Sequence, residues 1–262
     1  MATAQATAKR VTKRRPFVFG KIFRFVLRDF FISPWPIFML GVLVALHLIL
    51  FTSSPTREHF FGAQYATTIL MAALASSAFF GRAGRAEMYA ILARPVSRGS
   101  LTLALLLSAW LVTILAYLIS SVAVLVRYGP WLAPEGPVTQ WLDAQTFGLG
   151  SVPVVLVALL VVSLVALLTH FVASTGVRLV MLALIALLVM AFDSRNFPFE
   201  GARQFLEALP PIIVPIASAL RFATAPNPDT QTTYSLIALA AYAVALSLLV
   251  LVISSGRETV LD

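Results

Sequence analysis

Few residues in this sequence have the types and spacing that chemistry requires. Positions 81–87 read Gly-Arg-Ala-Gly-Arg-Ala-Glu, with two glycines and an acid. They lack the lysine and hydroxyl pair of the Gly-x-x-x-x-Gly-Lys-Ser/Thr loop that cradles nucleotide phosphates, so ATP hydrolysis is not expected in this chain. Neither His-Glu-x-x-His nor Gly-x-Ser-x-Gly occurs, and cysteine is absent. Thiol nucleophiles, disulfides and thiolate metal sites therefore drop out, and no metal or cofactor is expected on this chain. His47 is the one ionisable side chain that falls plainly within an apolar segment. Charged groups are costly there, so the expected form is a neutral imidazole hydrogen-bonded to a neighbouring helix, ahead of a substrate contact.

What remains is chemistry of contact. Residues 85–93 favour a short helix, which Pro95 limits by disfavouring helical geometry at Arg94. Met88, Ile91 and Leu92 fall at offsets 0, 3 and 4 on one face, with Glu87 and Arg94 away from it, and Ser97 and Arg98 follow. Apolar anchors flanked by charges suit a groove on a soluble partner, the anchors being buried and the charges setting register. A plain solvated basic loop is the competing reading.

A second amphipathic stretch lies in residues 16–31. Phe19, Ile22, Phe23, Val26 and Phe30 share one helical face, and Lys21, Arg24 and Arg28 share another. Such a helix lies in the inner membrane interface, with aromatic groups among acyl chains or neighbouring spans and cations near anionic headgroups. A generic basic anchor before a first span has much the same form.

These stretches must be positioned by lipid-embedded elements, because 60% of the 262 residues are apolar and only 11% are charged. A helix needs roughly 20 apolar residues to cross a hydrocarbon core about 30 Å thick. Residues 35–51, 62–80, 101–126, 152–171, 177–192 and 234–254 meet or approach that length, giving an all-α integral membrane protein with six spans. A secretory signal is disfavoured for 35–51, since the run meets Thr-Ser-Ser-Pro and further spans follow. In 62–80, Ala66, Ala73, Ala75, Ser76 and Ser77 allow close helix approach, as ordinary packing or as a dimer seam.

Charge orients the spans. The formal charge is +8, but eight of the 19 Lys and Arg lie between Lys9 and Arg28, beside the first span, which favours a membrane surface over nucleic acid. With both termini inside, 14 basic residues fall on the inner side and five on the outer, where seven of the 11 acids also lie. Cytoplasmic loops concentrate Lys and Arg in this way. The resulting organisation is a basic inner terminus with an interfacial helix (1–34), a transmembrane domain (35–254) with an inner loop at 81–100, and a cytoplasmic tail (255–262). On the outer side, residues 127–151 read as an irregular loop with Trp131 and Trp141 as interfacial anchors. Residues 193–233 read as short helices broken by Pro210, Pro211 and Pro215.

The inner loop resembles a known one. Glu87-x-x-x-Ile91-Leu92-Ala93-Arg94-Pro95-Val96-Ser97-Arg98 is similar to the cytoplasmic loop of ABC-2 type permeases, in which a Glu precedes a Leu-rich turn and a Pro-x-Ser-Arg element. The interfacial helix, six spans and short outer helices before the last span agree with that family's layout. The resemblance implies a dimer with an identical or paralogous second subunit, resting on two copies of a separate ATP-binding subunit that holds ATP and Mg. It implies export across a prokaryotic plasma membrane, with residues 87–98 as the coupling contact. The alternative from another class is an anchor subunit of a membrane complex that moves no substrate.

Overall fold

A computed structural model describes residues 18–83, 98–129, 138, 143–171, 219, 221–223 and 229–256 of the chain. Their regular structure is entirely helical, dominated by α1 (Val18–Ile32), α2 (Trp35–Leu50), α3 (Arg57–Ala83), α4 (Arg98–Tyr128), α5 (Ala144–Phe171) and α6 (Thr230–Gly256). The expected span at 177–192 and the expected short helices between 193 and 218 lie outside the described residues.

Helix boundaries follow from local chemistry. At the end of α1, the Ser33 hydroxyl donates to the Phe30 carbonyl at 2.6 Å. Pro34 is the N-cap of α2, and a further proline sits in its first turn, where a missing N–H costs nothing. The two helices meet at a 67° bend. Thr56 caps α3 by accepting from the His59 N–H at 3.3 Å. Asp143 caps α5 through the Thr146 N–H at 2.7 Å, and Asp229 caps α6 through the Thr232 N–H at 2.7 Å.

The α5 cap corrects one expectation. Residues 144–151 are not irregular but form the first two turns of α5, and the helix runs on through Pro153. Pro153 lacks the N–H that would bond to the Leu149 carbonyl, a loss that helices in apolar surroundings tolerate.

α3, α4, α5 and α6 are each long and apolar enough to cross a membrane, and the bent α1–α2 pair raises the count to five if read as one broken span. α2 by itself has 16 residues, about 24 Å of helix.

Side-chain pairings set the directions. Trp110 donates to the Val155 carbonyl at 3.2 Å, and the Tyr117 and Ser151 hydroxyls meet at 2.6 Å, so α4 and α5 are antiparallel. Phe60 packs on Phe147 at the starts of α3 and α5, which makes those two parallel. Ser163 of α5 and Ser247 of α6 meet at 2.8 Å, and Gly99 at the start of α4 lies against Ser255 at the end of α6, so α6 runs antiparallel to α4 and parallel to α5. The Tyr128 hydroxyl donates to the Phe51 carbonyl at 2.9 Å, bringing the ends of α4 and α2 together. Thus α3, α5 and α6 run one way, and α2 and α4 the other.

α3 is the central element: 83% of its apolar window is buried, against 17% for α6. Ala73, Ala75, Ser76 and Ser77 are buried within this chain, which favours ordinary packing over a dimer seam for these four, and Ala66 is half-buried.

Candidate functional site

Of the residues expected to contact a partner, Glu87, Met88, Ile91, Leu92, Arg94, Pro95 and Ser97 lie outside the described residues. Arg98 opens α4 and is half-buried. The feet of the loop are defined: α3 ends at Ala83 and α4 begins at Arg98. Gly99 lies against Ser255, so the end of α6 stands beside the second foot. Beside the first, Phe79 of α3 stacks on Phe30 of α1 with ring centroids 4.7 Å apart.

α1 presents the two faces its spacing predicts. Ile22, Val26 and Phe30 are buried, and Phe19 and Phe23 are half-buried with their rings stacked at 6.2 Å. Lys21, Arg24 and Arg28 are exposed together. The apolar face is seated on the helical bundle, in the same core as Leu101 and Leu105 of α4, and Phe25, Phe31 and Ile32 are left exposed. Phe19 and Phe23 thus lean toward protein more than toward free space, and the cations point away from it.

At the opposite end an aromatic knot joins five segments. Phe51, Phe60 and Phe61 are fully buried, and Tyr117 stacks on Phe147. The Phe61 ring lies on Gly150, where an added Cβ would fall inside it. Arg57 donates through Nε and a terminal guanidinium nitrogen to the Ala223 carbonyl, at 3.3 and 3.2 Å, tying the segment before α6 to the start of α3. His59 Nε2 meets the Leu50 carbonyl at 2.6 Å across the α2–α3 turn. Hydrogen bonds from the Thr146 hydroxyl and backbone N–H hold the exposed Asp143 carboxyl below the usual carboxylate range.

His47 stands one turn from the end of α2, with its ring 5.3 Å from that of Phe51. Its Nδ1 finds no hydrogen-bond partner among the described residues.

Most of the buried polar groups among the described residues lie on α3 and α4. Gln64 is fully buried and donates through Nε2 to the Ser120 hydroxyl at 3.1 Å. Thr67, Thr68, Ser77, Ser108, Thr113 and Ser121 are buried as well. A search for ionisable residues in spans passes over these neutral groups. The signal was present in Gln64, Thr67 and Thr68, at offsets 0, 3 and 4 on one face of an apolar helix.

Helices of this length and composition, packed through small residues and a buried polar seam, define the class: an α-helical, multi-pass membrane protein. No protein-family model matches the chain, and no characterised protein matches it.

Proposed function

We propose that this chain is the membrane-spanning subunit of an ABC transporter of the ABC-2 permease kind, working as a dimer on a separate ATP-binding subunit and moving substrate outward. The observation that carries the reading is the sequence of residues 87–98, set between α3 and α4. A short amphipathic element held between two long helices is suited to passing a partner's motion into the bundle. α1 supports it by lying beside Phe79, at the first foot of the loop, with its cations outward.

The chain's direction supports six spans. Phe171 ends α5 at the end where α1 and Ser255 lie, while Ala223, through Arg57, belongs to the opposite end. Residues 177–192 are the apolar run in the sequence between these two ends. With the basic N-terminal segment inside, both termini are then cytoplasmic.

The test is co-expression with a soluble Walker-motif ATPase encoded beside this chain. Leu92→Asp sets a carboxylate into an apolar contact and is expected to reduce co-purification about tenfold or more, an effect of ~1.4 kcal/mol or greater. Glu87→Ala is expected to retain association while lowering substrate-stimulated hydrolysis. Unchanged association and coupling in both variants would identify an anchor subunit instead.

A further inference from the structure

Several hydroxyls of the bundle are satisfied within their own helix. Ser76, Thr113, Ser151, Ser247 and Ser254 each donate to the carbonyl four residues back in their own helix, at 2.6 to 2.8 Å. That is the ordinary way a helical hydroxyl is satisfied away from water. Thr67, Thr68, Ser77 and Ser108 do not follow it. Their oxygens are buried without a hydrogen-bond partner among the described residues, as is Gln64 Oε1. All five side chains belong to α3 and α4, and none of these residues is more than 4% exposed.

Gln64 meets Ser120. Thr67 and Thr68, three and four residues on, fall within about 60° of Gln64 on the same face of α3, so the three form one polar level, whereas Ser77, thirteen residues on, falls about 140° away from that face. Five buried groups left dry would forfeit free energy comparable to the whole stability of a typical domain.

We infer that buried water molecules bridge α3 to α4 at this level. The ligand must be neutral, since no Asp, Glu, Lys, Arg or His occurs in residues 62–81 of α3 or 100–126 of α4 to balance an ion. It must be small, since the side chains are enclosed. Water offers both donors and acceptors to hydroxyl and amide oxygens and binds such groups in protein interiors. The consequence is mechanical. Contacts made through water can exchange partners as helices shift, so at this level the Gln64–Ser120 bond is the direct side-chain tie between the two helices that flank residues 84–97, and the remaining contacts can adjust. The inference does not rest on the transporter reading.

Radiolytic footprinting of the full chain in nanodiscs, in 18O-labelled water, tests it. Met71 is buried one turn from Thr67 and Thr68, while Met39 of α2 is buried in apolar surroundings and serves as control. Met71 is expected to take up label several-fold faster than Met39, and the near-isosteric pair Thr67→Val with Thr68→Val is expected to bring it down to the Met39 rate. Equal rates at Met71 and Met39 in the wild type would overturn the inference, and so would a Met71 rate untouched by the double substitution in folded protein. If the variant does not fold, the wild-type ratio decides alone.

Discussion

Gly150 shows how much can turn on one absent methyl group. The Phe61 ring occupies the space a side chain would need there, and Phe61 is itself fully buried. Gly150→Ala is expected to destabilise the fold by about 1–3 kcal/mol, the usual cost of overpacking. Gly148→Ala, in the same helix but facing open space, is expected to be neutral or stabilising by up to about 1 kcal/mol, because alanine favours helix over glycine. Thermal unfolding of both in detergent checks the pair, and Phe61→Leu is expected to restore part of the Gly150→Ala loss. Asp143 gives a pH dependence. Its folded-state pKa is lowered, so the cap contributes fully above the ordinary carboxylate range and is lost as pH falls through the lowered value. Asp143→Ala is therefore expected to lower the thermal midpoint at neutral pH, with the gap from wild type closing in acid. At this scale the sequence was only partly legible. The faces of α1 follow from spacing alone, whereas the roles of His47 and Gln64 depend on which helix stands opposite, and spacing within one segment does not carry that.

Among the elements, α1 was the most readable, because a 3.6-residue period separates Ile22, Val26 and Phe30 from Lys21, Arg24 and Arg28 regardless of what covers the apolar face. What covers it is the bundle itself. Phe30→Ala removes a ring stacked on Phe79 and is expected to cost about 3–5 kcal/mol, whereas Phe31→Ala, 57% exposed, is expected to cost far less. Denaturant-dependent release of α1, followed by limited proteolysis, separates the two. The start of α5 was misread for an identifiable reason. Residues 130–150 are rich in Pro, Gly and polar groups, which masks the onset of a helix, although Asp143 three residues before Thr146 is a capping signal visible in the sequence.

For the whole molecule, the apolar composition made the class plain and located the middles of α3 to α6, whose ends run beyond the apolar runs. Their arrangement did not, since hydropathy says nothing of which helix is central. The absence of cysteine makes the arrangement directly testable. Cysteines introduced at Ser53, Gln145 and Thr230, all exposed, are expected to react together with an impermeant thiol reagent from outside the cell. One at Arg24 is expected to react only after the membrane is opened. Reaction at position 24 in intact cells would reverse the orientation. One further consequence lies in the common direction of α3, α5 and α6. Parallel helices add their macrodipoles, so three positive ends gather on one side of the molecule. Each is met by a carboxylate: Glu58 in the first turn of α3, Asp143 at the start of α5 and Asp229 at the start of α6. These three acids are thus the counter-charge of aligned helix ends, and acidification would uncover three positive poles at one end of the bundle.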